Sequence, residues 1–289
     1  MSALSSRSRT WICSAEIRTR IARTTLAWFT VEHTMNSGAA GGVAMQGQWR
    51  TEQVAGHPVH FYAPPSGGRG RAIIYLHPVG QELLHDRPAF TSVLDDLGLP
   101  CACPEGKLTW WSDRVCRDFD PVLTAERWLV EHVTPAVVSK YEVAMSRVGL
   151  LGISMGGQGA LRLAFKHPRV FPAVAALAAA IDYHQFHGLG YTLDEMYDSK
   201  EQCRQDTAIM HIHPSDYPPH IFFAIDPTDG DWFRGNDRLH EKLNALGIPH
   251  VCDLRTQAGG HSWTYFDHLA GRAIRFLDEG LQAQSRRLL

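Results

Sequence analysis

The chain of 289 residues has no excess of charge of either sign and no long hydrophobic run. Lys and Arg number 28 against 30 Asp and Glu, which gives a formal charge of -2. Without a basic excess, the composition does not favour a nucleic-acid partner or an acidic membrane surface. The longest apolar stretch, residues 174–181, has the length of a buried strand, whereas a membrane helix needs about 20 residues. We therefore expect neither nucleic acid nor a membrane among its partners.

Cysteine is sparse and not arranged as a metal or disulfide framework. None of the six cysteines forms a Cys-x-x-Cys pair, and Cys101-Ala102-Cys103 lacks the spacing of a zinc site. Free thiols are typical of a reducing compartment, so we predict a cytoplasmic protein. Four histidines share one irregular stretch without a clear helix or a third ligand; they are His184, His187, His211 and His213. We predict no metal and no cofactor.

The first 45 residues differ in composition from the rest. Five arginines lie among Ser and Thr with only two acids, and a Gly/Ala stretch follows at residues 38–42. This bias is typical of a transit peptide. It is also what a start assigned too early would leave, with Met35 or Met45 as the true start. In either case we expect residues 1–45 to be a poorly ordered extension.

From Trp49 onward, strand and helix patterns alternate, which favours a mostly parallel sheet covered on both faces by helices. The fold class is therefore α/β, with one domain over residues 46–289. We predict strands at 59–63, 72–76, 100–103, 148–152, 172–181, 221–225 and 250–254. We predict helices at 88–97, from Asp120-Pro121 with a break at Thr134-Pro135, and at 158–166, 236–246 and 270–281. Residues 182–220 show no clear period, so we interpret them as an insertion or a mobile cap.

The strongest chemical signal is Gly152-Ile153-Ser154-Met155-Gly156, which lies between a predicted strand and a predicted helix. This is the context of a nucleophile elbow, in which a serine sits on a strained strand-to-helix turn. The residues two before and two after the serine must be small, because their Cβ atoms would otherwise collide as the chain doubles back. Ser154 is thus the predicted nucleophile.

A serine hydroxyl needs a base, and in this arrangement the base is a histidine after the last strand. His261 fits, since it follows the predicted strand 250–254 and is preceded by Gly259-Gly260. The acid that orients this imidazole belongs on the loop after the preceding strand. Three carboxylates compete there. Asp226 ends the strand and has a structural role; we favour Asp229, with Asp231 as the alternative.

An oxyanion hole needs two backbone N–H groups. The residue after the nucleophile, Met155, supplies one, and the loop after strand 72–76 supplies the other. Pro78 in that loop has no N–H, so Val79 is the predicted donor and Gly80 the alternative. His77 is more typical of a turn residue than of a second base.

Three segments together resemble the α/β-hydrolase putative-esterase family: Gly-Ile-Ser-Met-Gly-Gly-Gln-Gly-Ala (152–160), Leu-His-Pro-Val-Gly (76–80) and Gly-Gly-His-Ser-Trp-Thr-Tyr-Phe (259–266). That family includes esterase D (S-formylglutathione hydrolase), feruloyl esterases and mycolyltransferase-like acyl enzymes. The resemblance covers residues 55–280 and implies an α/β-hydrolase fold, a Ser-Asp-His triad and hydrolysis of carboxylic esters or thioesters. The sequence departs from the pattern at Pro78, where other α/β hydrolases often carry glycine. The resemblance therefore does not imply which esters or thioesters this chain cleaves.

For substrate recognition we single out Trp110 and Trp111, which follow the predicted strand 100–103 at the edge where the site lies. The alternative is that they pack against a neighbouring helix. The resulting hypothesis is a serine carboxylic-ester or thioester hydrolase that acts on a small ester through an acyl-enzyme. An acyltransferase or serine peptidase on the same fold, and a non-catalytic binding protein of that fold, are the alternatives. The sequence leaves the oligomeric state open.

Overall fold

A computed structural model describes residues 46–68 and 70–287. The predicted N-terminal extension, residues 1–45, lies outside the described residues. Within the described part of the chain, no helix combines the length and the apolar character that crossing a membrane requires. The five cysteines found there are free thiols. The cytoplasmic location stays a prediction.

An eight-stranded sheet forms the centre of the fold, with the order β1-β2-β4-β3-β5-β6-β7-β8. The strands are β1 (Gln48–Val54), β2 (His57–Ala63), β3 (Ala72–Leu76), β4 (Cys101–Pro104), β5 (Val148–Ile153), β6 (Ala173–Leu177), β7 (His220–Ala224) and β8 (Val251–Asp253). β2 pairs antiparallel with β1 and β4, and all pairs from β4 to β8 are parallel. This mostly parallel sheet with helices confirms the predicted fold class.

The middle strands explain why this sheet is covered on both faces. Every residue of β3, β5 and β6 is buried, as expected of apolar runs that show no alternation. Their register aligns their ends: Leu76 pairs with Gly152, and Ile153 pairs with Leu177. The loops that follow these strands therefore emerge at one edge of the sheet.

The helices are α1 (Pro88–Leu97), α2 (Ala125–Trp128), α3 (Thr134–Tyr141), α4 (Met155–Lys166), α5 (Leu193–Met196), α6 (Lys200–Gln205), α7 (Phe233–Ala245) and α8 (Trp263–Arg287). α1 has the predicted bounds. It ends because Gly98 adopts a left-handed conformation (φ 58°), and its amide bonds the Asp95 carbonyl. α8 is much longer than the predicted helix 270–281.

The predicted helix start at Asp120-Pro121 is wrong. Asp120 instead closes a turn, because its carboxylate accepts hydrogen bonds from the Val122 and Leu123 amides at 2.8 and 2.7 Å. Helix α2 begins at Ala125, where the Thr124 hydroxyl caps it. Local capping chemistry thus belongs to either a turn or a helix, and the sequence signal alone does not separate them.

The predicted break at Thr134-Pro135 takes the form of a π-helical turn, Leu129–Val133, between α2 and α3. Pro135 lacks an N–H, so the regular ladder cannot continue through it. The Thr134 hydroxyl donates to the Leu129 carbonyl at 2.7 Å and satisfies one acceptor of this turn. The helix direction therefore continues through the proline instead of ending at it.

The segment predicted as an insertion, residues 182–220, connects β6 to β7 and includes His220 as the first residue of β7. It contains α5, α6 and two short 3-10 turns. Asp206 of this segment accepts a hydrogen bond from the Arg162 guanidinium of α4 at 2.6 Å and from the Tyr197 hydroxyl at 2.7 Å. Arg162 is fully buried and also pairs with Glu126. The segment is thus tied to the helix that follows Ser154; its proposed role as a mobile cap stays a prediction.

Candidate active site

Ser154 occupies a strained turn between β5 and α4. Its backbone has φ 55° and ψ -115°, a conformation that residues with a side chain rarely adopt. A Cβ on Gly152 would lie 2.0 Å from the Gly156 carbonyl oxygen. A Cβ on Gly156 would lie 1.9 Å from the carbonyl oxygen of Leu76, at the end of β3. The two glycines are therefore required for different reasons: one lets the chain double back, and the other lets α4 approach the neighbouring strand.

The imidazole of His261 lies between the side chains of Ser154 and Asp229. Its Nε2 is 2.9 Å from Ser154 Oγ, and its Nδ1 is 2.7 Å from Asp229 Oδ2. A carboxylate only accepts hydrogen bonds, so Nδ1 carries the proton and Nε2 is free to accept the serine proton. Ser154 and Asp229 are only 5% and 4% exposed, whereas a third of the His261 side chain faces solvent. This geometry suits general-base activation of the hydroxyl.

The acid loop places Asp229 and Asp231 differently. Asp229 is buried after β7, and its second carboxylate oxygen accepts the Trp232 amide at 3.2 Å. Asp231 is exposed. The carboxylate that contacts the His261 imidazole is therefore that of Asp229, the residue that the sequence analysis favours over Asp231.

Asp226 links the acid loop to the histidine loop. It is fully buried, and its two oxygens accept four hydrogen bonds, two from Thr228 and one each from the Ala258 and Gly260 amides. Burial alone would raise the pKa of Asp226, but these bonds outweigh it and lower the pKa to about 2. Asp226 thus holds the backbone next to His261 in place. The sequence assigned it only a general structural role, because its partners lie 32 and 34 residues away.

The turn after β3 lies against the elbow and carries Val79. His77 fixes this turn: its Nδ1 donates to the Pro78 carbonyl at 2.8 Å, and its Nε2 accepts from the Gly106 amide at 3.0 Å. Burial of His77 lowers its pKa to about 4, so the ring is neutral near pH 7. Within residues 70–287, the amides of Val79 and Met155 make no hydrogen bond, which leaves both available to an oxyanion.

The two tryptophans after β4 have different surroundings. Trp111 is fully buried against Gly106 and Gly159, and its Nε1 donates to the His77 carbonyl at 3.3 Å. This placement corresponds to the packing alternative and adds support to the turn that carries Val79. Trp110 is also buried, but its ring stacks on Tyr183 of the 182–220 segment at 5.1 Å.

Two aromatic residues that the sequence did not single out connect Trp110 to the acid loop. Phe186 is half-buried; its ring lies 6.1 Å from Trp110 and 5.3 Å from Trp232. Trp232 is the residue whose amide bonds Asp229. The only sequence signal for Trp232 is its position directly after the candidate acids Asp229 and Asp231. Phe186 has no such signal, because it lies in a segment without a recognisable pattern.

Comparisons with known proteins address the family and the fold of the chain. The model of the family described as "Putative esterase" matches residues 124–276. No curated protein matches the chain.

Three solved structures illustrate the similarity in fold. A ferulic acid esterase superposes with a TM-score of 0.67 at 16% sequence identity, and the match covers 82% of this chain and 100% of the esterase. For an S-formylglutathione hydrolase from Agrobacterium tumefaciens the TM-score is 0.64 at 18% identity, and the match covers 83% of this chain and 98% of that enzyme. For the fluorophosphonate-binding serine hydrolase FphF of Staphylococcus aureus the TM-score is 0.65 at 14% identity, and the match covers 81% of this chain and 99% of that enzyme. At these identities the likeness concerns the fold.

Proposed function

We propose that this chain, which belongs to the Putative esterase family and is an enzyme of the hydrolase class, cleaves small carboxylic esters or thioesters through Ser154, His261 and Asp229. The observation that carries the proposal is the single imidazole within hydrogen-bond distance of both the hydroxyl and the carboxylate. The strained backbone at the serine supports it, because strain of this kind is retained where it serves a site.

In the first half-reaction, Ser154 Oγ attacks the carbonyl carbon of the ester while His261 Nε2 takes its proton. Negative charge develops on the carbonyl oxygen, and the Met155 and Val79 amides donate hydrogen bonds to it. His261 then gives its proton to the leaving alcohol or thiol as that bond breaks. The acyl group stays on Ser154.

In the second half-reaction, His261 takes a proton from water, which attacks the acyl-enzyme. Collapse of the tetrahedral intermediate breaks the bond to Ser154 Oγ, and the proton returns to the serine. Asp229 does not take the proton; it holds the imidazole in the required tautomer and stabilises its charged form.

For substrate binding we assign Phe186, whose ring packs against Trp110 and Trp232; these two tryptophans are themselves buried and support it. Trp111 has no surface for a ligand in this structure, so its predicted part in substrate binding becomes an indirect one through the turn that carries Val79. Phe186 offers the more accessible ring and lies beside the residue that bonds Asp229. An aromatic wall of this kind favours flat or apolar acyl and alcohol groups.

Active-site labelling tests the proposal. Wild-type protein should react with a fluorophosphonate and hydrolyse p-nitrophenyl acetate, and Ser154→Ala should abolish labelling and lower turnover by at least about 10⁴-fold. Ser92→Ala, on the exposed face of α1, is the matched control and should behave as wild type. Normal turnover in Ser154→Ala or in His261→Ala would refute the mechanism.

A further inference from the structure

A cluster of nitrogen and sulfur ligands lies apart from the proposed triad, where α7 meets β8. His240 of α7, His250 before β8 and Cys252 within β8 bring one donor atom each to within 4.8 Å of one another. His240 Nδ1 is 2.8 Å from His250 Nε2 and 3.2 Å from Cys252 Sγ. All three side chains are half-buried, and His240 and Cys252 line a cleft of about 470 Å³.

The donor types and their spacing suit a tetrahedral metal. Zinc binds imidazole nitrogen at about 2.0–2.1 Å and thiolate sulfur at about 2.3 Å. In a tetrahedron these bond lengths separate two nitrogens by about 3.3 Å and a nitrogen from a sulfur by about 3.6 Å. The two separations from His240 Nδ1 are a few tenths of an ångström shorter than these values, and all three donor atoms lie within 4.8 Å of one another. The donors would therefore move slightly apart around an ion.

The hydrogen bonds behind the cluster already orient one ligand. His250 Nδ1 lies 2.8 Å from the Ile248 carbonyl and must donate to it, which leaves Nε2 unprotonated and aimed at the cluster. The amide nitrogen of Asn244 lies 3.0 Å from His240 Nε2. If the amide turns so that its oxygen faces this nitrogen, it can accept from Nε2–H and free Nδ1 for a metal. His250 thus has the outer partner that a metal-bound imidazole needs, and His240 gains one when the Asn244 amide turns.

Charged groups around the cleft partly oppose one another. Asp253 lies next to Cys252 and pairs with Arg272, and Arg255 also lines the cleft. Burial first, and then Asp253, raise the pKa of the Cys252 thiol, whereas the two arginines lower it.

We propose that His240, His250 and Cys252 bind a zinc-type divalent transition metal, with water or a small ligand from the cleft as the fourth ligand. Two imidazoles and a thiolate favour Zn²⁺ over oxygen-preferring ions such as Mg²⁺. The ion would join α7 to β8, which pairs only with β7 among the described strands. Its role is to stabilise that edge of the sheet, and ester cleavage does not require it.

Titration of the full-length metal-free protein with Co²⁺ tests this site. We expect one equivalent to bind with a thiolate-to-cobalt charge-transfer band and tetrahedral visible bands, both abolished by Zn²⁺. Cys252→Ser should lose the charge-transfer band, and its Zn²⁺ affinity, measured by competition with a chromophoric chelator, should fall more than about 100-fold. His240→Gln and His250→Gln should also lose tight binding.

The matched control is Cys116→Ser, at a buried thiol outside the cluster, which should bind Co²⁺ as wild type does. Circular dichroism and p-nitrophenyl acetate turnover of each variant show whether it is folded, and Zn²⁺ should raise the Tm of wild type but not of Cys252→Ser. Absence of a stoichiometric thiolate band in wild type, or a band that survives Cys252→Ser, would overturn the assignment. Since the readouts are spectroscopic, failure here is distinguishable from failure of the proposed ester hydrolysis.

Discussion

Replacement of Asp226 by Asn changes one atom type in the link between the acid loop and the histidine loop. One side-chain oxygen of Asp226 accepts two bonds from Thr228, and the other accepts the Ala258 and Gly260 amides. Asn keeps one acceptor oxygen and presents an NH₂ group in place of the other. Two of the four groups that donate to Asp226 would then face this NH₂ and lose their acceptor. A buried donor left without a partner costs about 1–3 kcal/mol. We therefore expect a loss of about 2–6 kcal/mol in the free energy of unfolding.

The same substitution should lower activity beyond this loss of stability. Gly260 directly precedes His261, and a misplacement of about 1 Å at a reacting group can cost 10²-fold in rate. We expect the kcat/KM for p-nitrophenyl acetate and the rate of fluorophosphonate labelling to fall about 10²-fold in the folded fraction of Asp226→Asn. Urea unfolding and steady-state kinetics on the same preparation measure the two effects separately.

Asp253→Asn provides the matched control. Burial alone would raise the pKa of Asp253, but hydrogen bonds from Thr256 and Arg255 outweigh it and lower the pKa to about 2. Its hydrogen bonds within the described residues go to Arg255, Thr256 and Arg272, and not to Ala258 or Gly260. It should lose stability while keeping most of its kcat/KM. Equal losses of activity in the two variants, or full activity in Asp226→Asn, would contradict the positioning role.

Three further outcomes follow from the structure. Gly152→Ala should eliminate fluorophosphonate labelling, since the added Cβ would lie 2.0 Å from the Gly156 carbonyl oxygen. The control is Gly271→Ala in α8, where the added Cβ meets no atom closer than 3.8 Å, and this variant should raise the free energy of unfolding by about 0.5–1 kcal/mol. The pKa of His77 is lowered by burial to about 4, below its unfolded value of about 6.5, so neutral His77 contributes fully to the free energy of unfolding above pH 6.5. About 3 kcal/mol of this free energy should be lost as the pH falls to 4, and urea unfolding of His77→Gln should lack this pH-dependent loss. Arg162→Met should lower the free energy of unfolding by about 1.5–3 kcal/mol, because the buried guanidinium that bonds both Glu126 and Asp206 is lost while each carboxylate keeps its other partners. Arg127→Met at an exposed pair should change stability little.

The sequence predicted the fold and most strand and helix positions because those features depend on local pattern. Buried strands are visible in the sequence as continuous apolar runs. The elbow at Ser154 is a five-residue motif, and its glycines are required because a Cβ at either position would collide with backbone in any turn of this kind. His261 and Asp229 could be proposed because each follows a predicted strand, in the chain order serine, acid, histidine that this kind of site requires.

What the sequence did not predict depends on contacts between distant segments. The bonds of Asp226 to the histidine loop, the burial of Trp111 under the turn that carries Val79, and the cluster at Cys252 all join residues that no local pattern relates. Asp120 shows the converse case, in which a valid local signal for a helix cap was satisfied by a turn instead.

The three reacting parts of the proposed site are held by different physical means, and this has a consequence for acid sensitivity. Ser154 is fixed by backbone packing, which does not titrate. The turn that carries Val79 depends on neutral His77, with a pKa of about 4, and the loop that carries His261 depends on ionised Asp226, with a pKa of about 2. As the pH falls, the stabilising contribution of His77 is lost between about 6.5 and 4, and that of Asp226 only below about 4. The support of the oxyanion turn should therefore weaken before the loop that holds the base.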